Sequence, residues 1–143
     1  ITPNRFELGW LANQNVNSES DAIAAARRLI GNGRLKAVVV TGLPVGTDGL
    51  AALTVEAGAA WRVATPKLKF DASVCCGAGD MTAALLVANF VKTSRLPESM
   101  AKAVSSVWGL IKAAEQTNAA DIPLIAAQSQ IEAPDRLFAA ERI

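Results

Sequence analysis

The feature that most constrains the fold is a β-branched run that follows an amphipathic segment. Residues 36–41, Lys-Ala-Val-Val-Val-Thr, have strand length and are typical of a strand covered on both faces in a parallel sheet. Before them, from Asp21 to Ile30, apolar residues recur at helical spacing, and Gly31 and Gly33 follow. Because the apolar residue Ile1 suggests the end of an earlier strand, this order predicts a βαβ unit and an α/β fold.

The rest of the chain predicts a hairpin and further helices. Leu50 to Val55 and Ala60 to Ala64 flank a short turn sequence, which predicts an antiparallel pair. The other expected elements are a short helix over Phe6 to Leu11, Ser20 as N-cap of the Asp21 to Ile30 helix, helices over Met81 to Val91 and Pro97 to Gln116, and Ile122 to Ala126 as a short strand or extended segment.

Composition excludes several function classes. The 143 residues are enough for one domain with its own core, and they carry a formal charge of +1. No stretch gathers the Lys and Arg residues that hold a nucleic-acid backbone, so nucleic acid is not an expected partner. The longest apolar runs are about half the roughly 20 residues that cross a bilayer, and no leader pattern opens the chain. We therefore expect a cytoplasmic protein without a membrane partner.

The residues available for acid–base chemistry are few. Histidine is absent, so this chemistry must fall to carboxylates, Lys or Cys. The only cysteines, Cys75 and Cys76, are adjacent, and their Cα atoms lie about 3.8 Å apart, below the usual disulfide range. We expect both to be small packing residues, with a redox role as the weaker alternative.

A glycine motif stands directly before an apolar helix. In Cys-Cys-Gly-Ala-Gly-Asp, residues 75–80, the glycines allow a tight turn whose N–H groups point one way, and the helix start adds a partial positive charge. These features predict an anion hole formed by Gly77, Ala78 and Gly79. Asp80 beside it suits a base that takes a proton from a hydroxyl attacking a γ-phosphoryl group. The alternative, an N-capping Asp after a glycine loop, stays open.

Two weaker motifs fall where open α/β sheets collect ligands. Asn4 and Glu7 are hard oxygen donors that suit Mg²⁺ held through water or phosphate, although an N-cap with a capping-box glutamate is the favoured explanation when this motif is taken alone. Thr41 offers a hydroxyl at a strand end and Gly42 lets a ligand approach, with a simple turn as the alternative.

Lys67 and Lys69 are expected to be solvated rather than bound to phosphate. Trp61 and Trp108 are expected to pack rather than to stack on a base. Neither a Walker A motif nor Gly-x-Gly-x-x-Gly occurs.

The order of these motifs resembles the ribokinase-like superfamily. Thr-Pro-Asn-x-x-Glu comes first, then a strand ending in Thr, then a hairpin, then Gly-Ala-Gly-Asp opening a helix. Within the superfamily the chain is similar to bacterial pyridoxal kinases. The segments that carry this likeness are Ile1 to Leu8, Val40 to Pro44, Ala103 to Trp108 and Leu124 to Gln128. The resemblance runs along nearly the whole chain but covers only the second half of a family member.

The resemblance implies a fold and an assembly. The expected fold is a partial three-layer αβα arrangement with a mostly parallel central sheet plus a small antiparallel hairpin. Residues 1–143 would form the nucleotide- and phosphate-binding half of a kinase domain, and the chain would be a fragment or processed piece that pairs with another segment. The complete protein is expected to be a homodimer.

The resemblance also implies an activity. It would be MgATP-dependent phosphorylation of the 5′-hydroxymethyl group of pyridoxal, pyridoxine or pyridoxamine, with a monovalent cation as a further candidate cofactor. Asp80 would be the base, Asn4 and Glu7 would order Mg²⁺ and phosphates, and Thr41 would contact the nucleotide phosphates. The adenine pocket would lie between the Pro66 to Val74 loop and the later helices.

Two alternatives remain. Pyridoxal kinases often read Gly-Thr-Gly-Asp, whereas this chain reads Gly-Ala-Gly-Asp, as sugar and nucleoside kinases of the superfamily do. The first alternative is therefore a kinase of the same superfamily whose acceptor is hydroxymethylpyrimidine, a sugar or a nucleoside. A non-catalytic nucleotide-binding module is the other alternative, although it has little physical need for Asp80.

Overall fold

The computed structural model describes residues 1–69 and 76–143, which divide into two compact units. The first unit comprises residues 1–64 and 140–143, and the second comprises residues 65–139. The elements are α1 (Arg5–Ala12), α2 (Glu19–Gly31), β1 (Ala37–Val45), β2 (Gly49–Glu56), β3 (Ala60–Pro66), α3 (Ala78–Thr93), α4 (Leu96–Thr117), α5 (Ser129–Glu132) and β4 (Glu141–Arg142).

The sheet of the first unit has the strand order β1-β2-β3-β4. β1 pairs with β2 and β3 with β4 in antiparallel fashion, and Glu56 N–H donates to the Ala59 carbonyl at 2.9 Å where β2 turns into β3. The predicted hairpin is therefore confirmed. The two-residue strand β4 was not predicted, because it is too short to show any alternation of apolar and polar residues.

Parallel pairing occurs where the chain opens. Val39 and Thr41 donate their N–H groups to the carbonyls of Ile1 and Pro3 at 2.9 and 3.0 Å, and Asn4 bridges to Thr41 in parallel register. This pairing agrees with the predicted βαβ order. The mostly parallel sheet is not confirmed, because in residues 1–69 and 76–143 the named strands pair antiparallel. The connections from β1 to β2 and from β2 to β3 are a few residues long, and such turns can join only antiparallel neighbours.

The β-branched run is buried, as predicted. Val38, Val39 and Val40 are 0%, 3% and 0% exposed, so both faces of β1 are covered. Burying each of these side chains contributes roughly 1.5 to 3 kcal/mol relative to leaving it in water. The residues that share this core with β1 come from α1, α2 and β2 and include Leu8, Ala12, Ala22, Ala25, Ala26, Ile30, Leu53 and Val55.

Helix α2 begins two residues earlier than predicted. Ser18, not Ser20, is the N-cap: its Oγ accepts from Asp21 N–H at 3.1 Å, and Asp21 Oδ2 accepts from Ser18 N–H at 3.0 Å. Asn17 N–H donates to the same Oδ2 at 3.0 Å. This reciprocal capping box explains the choice, because only Ser18 has an acidic residue three positions later in the first turn.

The second unit is built on a helical hairpin of α3 and α4. The helices pack against each other, and the hydroxyls of Thr93 and Ser99 lie 2.9 Å apart near their junction. α4 begins at Leu96 with Pro97 in its first turn, as predicted. Its buried residues include Met100, Ala103, Val107, Leu110 and Ala114.

The expectation of a strand or extended segment over Ile122 to Ala126 is wrong. Leu124 N–H donates to the Ile122 carbonyl at 2.8 Å, and Ala127 N–H donates to the Pro123 carbonyl at 2.9 Å. These local bonds close turns that lead into α5, so these backbone groups do not pair with a neighbouring strand.

Among the helices described here, none combines the length and the apolar character required of a membrane span.

The α2 capping box makes stability depend on pH. The N–H group of Asn17 and the side chain of Ser18 lower the pKa of Asp21 below its ordinary value of 3.8. A depressed pKa means that the contribution of Asp21 to stability is present above about pH 4 and is lost as pH falls through the folded-state value. Asp21→Ala should therefore lower the melting temperature at pH 6 and have a smaller effect at pH 3.

Thermal unfolding followed by circular dichroism measures this difference. Asp121→Ala, which removes an exposed carboxylate from the second unit, is the control and should show no such pH trend. An equal loss for Asp21→Ala at both pH values would contradict the account.

Candidate functional site

The glycine motif forms the start of α3. Gly77 is the N-cap with φ of 85°, a left-handed conformation that a residue with a Cβ adopts only at a cost, and its carbonyl accepts from Met81 N–H at 2.9 Å. The N–H groups of Ala78, Gly79 and Asp80 precede the first complete helical turn and so have no partner within the helix. In the described part of the chain, no side chain caps this end. The start of α3 can therefore receive an anion.

Asp80 lies in the first turn of α3 with an exposed side chain. The alternative of an N-capping Asp is wrong, because Gly77 occupies the N-cap position and Asp80 follows three residues later. Within residues 1–69 and 76–143, no hydrogen bond or ion pair engages the Asp80 carboxylate. Its oxygens are thus available to accept a proton from a hydroxyl group that approaches the helix start.

Asn4 and Glu7 form a capping box at the start of α1. Asn4 Oδ1 accepts from Glu7 N–H at 2.9 Å, and Glu7 Oε2 accepts from Asn4 N–H at 2.8 Å. The capping alternative is thereby confirmed for their local structure. The capping box leaves other lone pairs of the Glu7 carboxylate free, because a carboxylate offers about four acceptor sites and the box engages one of its oxygens. Both residues are exposed, so their oxygens remain suitable ligands for a hard cation.

Thr41 lies beside Asn4 and opens a bulge in β1. The register passes from Val40 opposite Leu53 to Leu43 opposite Ala51, so Thr41 and Gly42 share one partner position. Gly42 has φ of 69°, a left-handed conformation that glycine adopts without steric cost. The alternative of a simple strand-to-loop turn is wrong, since β1 continues to Val45. The first unit therefore brings Asn4, Glu7 and Thr41 together where the parallel pairing ends.

A cation at this place would need further ligands. Among the described residues, there is no group of three or more His, Cys, Asp or Glu side chains that could hold a metal ion. Asn4 and Glu7 fit Mg²⁺ only in the manner expected from sequence, through water and substrate phosphates.

The remaining candidates have mixed outcomes. Lys67 and Lys69 are exposed, as expected. Trp108 is 9% exposed and lies edge-on to Phe138 with ring centroids 5.2 Å apart, which confirms the packing role predicted for it. Cys76 is exposed, so its expected role as a packing residue is wrong. Cys75 and the larger part of the predicted adenine-pocket loop, residues 70–74, lie outside the described residues.

Glu115 is a further residue of interest that the sequence did not predict. Its Oε1 accepts from Lys69 N–H at 2.6 Å, a contact between residues far apart in the chain. No local pattern signals such a pair, because Glu115 reads only as a polar residue near the end of a helix.

The family model and the curated relatives that match this chain agree with one another. Residues 1–124 match the family model described as phosphomethylpyrimidine kinase. Curated pyridoxal kinases of Rubrobacter xylanophilus and Deinococcus radiodurans are 35% identical over 147 residues and 32% identical over 149 residues, and each alignment covers 100% of this chain. It covers 49% and 50% of those relatives, so the chain spans about half of their length.

Solved structures show the same fold. Pyridoxal kinase from Leishmania donovani in complex with ADP and pyridoxine has a TM-score of 0.84 at 23% identity, covering 99% of this chain and 50% of that chain. Pyridoxal kinase from Trypanosoma brucei has a TM-score of 0.84 at 24% identity, with the same coverage. The α/β fold of this chain is therefore that of the ribokinase-like kinases.

The two glycines of the motif should respond differently to alanine. Gly77→Ala places a Cβ at positive φ and should lower the free energy of unfolding by about 1 to 2 kcal/mol. Gly79 lies inside α3 at a helical position where an added Cβ would meet nothing within 4 Å. Gly79→Ala should therefore leave stability unchanged or raise it by up to about 1 kcal/mol, because alanine is the better helix former.

Urea unfolding of the two variants, compared with the parent protein, measures this difference. Equal effects from both substitutions would contradict the left-handed turn at Gly77.

Proposed function

Because the chain belongs to the phosphomethylpyrimidine kinase family, we propose that the protein that carries it transfers the γ-phosphoryl group of ATP to an alcohol. The proposed acceptor is the 5′-hydroxymethyl group of pyridoxal, pyridoxine or pyridoxamine. The curated relatives at 32% and 35% identity, which are pyridoxal kinases, support this acceptor. The observation that carries the proposal is the exposed Asp80 carboxylate in the first turn of a helix whose starting amides are uncapped among the described residues.

The start of α3 supplies the electrostatic part of the mechanism. The amides of Gly77, Ala78 and Gly79 bind the oxygens of the transferring phosphoryl group, where negative charge is spread in the transition state. Donors fixed at a helix start need little reorganisation when this charge arrives. This part of the motif therefore lowers the barrier by binding the transition state more tightly than the ground state.

Asp80 supplies the acid–base part. As the acceptor oxygen forms its bond to the γ-phosphorus, the bond from that phosphorus to the bridging oxygen of ADP breaks. The hydroxyl proton passes to the Asp80 carboxylate, so the products are a phosphate ester, ADP and a protonated aspartate that returns its proton to water. Because this chain contains no histidine, its own candidate for the base is a carboxylate.

Asn4, Glu7 and Thr41 are proposed to serve the nucleotide side. Asn4 and Glu7 would hold Mg²⁺ through water or phosphate, and the ion would neutralise phosphate charge. The Thr41 hydroxyl would donate to a nucleotide phosphate. The parallel bridge between Asn4 and Thr41 supports a shared role for these residues.

Several finer expectations are part of the same proposal. The complete domain would have a mostly parallel central sheet. The pairing of Ile1 and Pro3 with β1 would be part of it. Residues 1–143 would be its nucleotide- and phosphate-binding half. A cytoplasmic location, a homodimer and a monovalent cation stay predictions from the sequence.

A hydroxymethylpyrimidine is the second candidate acceptor. The family model that matches residues 1–124 is described as phosphomethylpyrimidine kinase, and the Gly-Ala-Gly-Asp motif departs from the form common in pyridoxal kinases. Both acceptors present a hydroxymethyl group on a nitrogen heterocycle, so the same base and anion hole serve either one.

Replacing the proposed base tests the mechanism. In the longest natural polypeptide that carries this sequence, ADP release should be fastest with the three B6 vitamers. Asp80→Asn should lower kcat by about 10²- to 10⁴-fold, because an amide cannot accept the hydroxyl proton. Nucleotide binding measured by calorimetry should persist in this variant.

Asp121→Asn, a neutralised carboxylate in the same unit, is the control and should retain the parent rate. An undiminished rate in Asp80→Asn would exclude the base assignment. Faster ADP release with hydroxymethylpyrimidine than with any vitamer would shift the acceptor assignment, and nucleotide binding without turnover of any acceptor would favour a non-catalytic module.

Glu7→Gln separates capping from cation binding. Glutamine at this position retains the capping box, so the free energy of unfolding should change by less than about 0.5 kcal/mol. The loss of the negative charge should raise the Mg²⁺ concentration required for half-maximal activity by about tenfold.

Magnesium titrations of ADP release, together with urea unfolding, measure both effects. A Mg²⁺ requirement identical to that of the parent protein would leave Glu7 with the capping role alone.

A further inference from the structure

Two side chains of α4 hold the backbone that follows β3. Trp108 Nε1 donates to the Pro66 carbonyl at 2.9 Å, and Glu115 Oε1 accepts from Lys69 N–H at 2.6 Å. Both contacts lie within the second unit. We call residues Pro66 to Lys69 the Pro66–Lys69 strap. Because both contacts engage main-chain groups of the strap, they fix the path of its backbone and not the position of its side chains.

The spacing of the two contacts fits the strap. Trp108 and Glu115 are seven residues apart, which is two turns of helix and about 10.5 Å along its axis. The three steps from the Cα atom of Pro66 to that of Lys69 span at most about 10 to 11 Å. The strap can therefore run beside α4 in a nearly extended form, held at each end.

The first anchor is itself rigid. The Trp108 ring lies edge-on to Phe138, and the Arg136 guanidinium lies 5.5 Å from the Trp108 centroid and 4.7 Å from the Phe138 centroid. The Lys112 amine is 5.0 Å from the Trp108 centroid. Contacts of this kind restrict the rotation of the indole, so its N–H stays directed at the Pro66 carbonyl.

α4 also holds the helix that follows the glycine turn. α3 packs along α4, and the Thr93 and Ser99 hydroxyls lie 2.9 Å apart where the two helices join. The turn at Gly77 thus lies, in sequence, between two portions of chain that are both attached to α4. One is the strap before it, and the other is α3 after it.

We propose that Trp108 and Glu115 are positioning residues for nucleotide binding at the start of α3. This inference rests on the proposed function. Without these two contacts, the Pro66–Lys69 strap samples more conformations, and binding must then supply the free energy of ordering it. Nucleotide affinity should fall, whereas the chemical step at Asp80 should proceed normally once the complex has formed.

The test compares four variants in the longest natural polypeptide that carries this sequence. Glu115→Ala and Trp108→Phe should raise the KM for ATP and the Kd for ADP by about 3- to 30-fold, with kcat changed by less than about twofold. Glu115→Gln should restore parent values, because its amide oxygen can still accept from Lys69 N–H. Glu98→Ala removes a carboxylate of the same helix that pairs only with exposed Arg95 among the described residues, and it should change neither constant.

Contrary outcomes are distinct. Unchanged KM and Kd in Glu115→Ala would overturn the proposal, and so would a fall in kcat at unchanged KM, which indicates only a loss of folded protein. If Trp108→Phe fails to fold, the Glu115→Ala and Glu115→Gln pair decides alone.

Failure of the proposed function gives a different result. A parent protein that binds ADP but phosphorylates no acceptor would contradict the kinase assignment, and the Kd comparison would still decide the role of the anchors. A parent protein that binds no ADP would overturn both proposals.

Discussion

The left-handed backbone at Gly77 is the constraint on which the candidate site depends. At φ of 85° the chain turns into α3 in one residue, and in the described residues no side chain covers the amides that follow. A serine or aspartate at that position would favour a side-chain cap, which would satisfy the amides internally. Glycine leaves them to a ligand and places Asp80 three residues later, within the same turn of helix.

In the first unit, burial of a strand and a bulge within it position the candidate residues. The core of this unit is closed by β1, whose three consecutive valines are buried, and the polar residues appear where that burial ends. The bulge at Thr41 and Gly42 interrupts the β1–β2 ladder at the point where Asn4 pairs with Thr41. Apolar burial thus fixes the strand, and the bulge within it places Thr41 and Gly42 beside Asn4, where phosphate or a cation is proposed to bind.

Much of the fold and of the candidate site could be predicted from sequence, because the signals are local. The β-branched run, the hairpin and a helix at the glycine motif follow from periodicity and turn residues within a few positions, although α3 begins at Ala78, between the glycines, and not at Met81 as predicted. Other features depend on groups distant in the chain. Nothing near Glu141 signals its short pairing with β3, and Trp108 and Glu115 meet the Pro66–Lys69 strap across more than forty residues. The N-cap of α2 was misplaced by two residues because two serines compete, and the reciprocal bond with Asp21 decides between them.

The amides at the start of α3 are proposed to bind phosphate, and amide chemical shifts report on such binding directly. The measurement is a titration of the ¹⁵N-labelled protein with ADP and Mg²⁺, observed by two-dimensional NMR. The resonances of Gly77, Ala78 and Gly79 should shift with saturation, while that of Ser94, at the other end of α3, should not. Saturable shifts elsewhere with these three resonances unmoved would contradict this proposal.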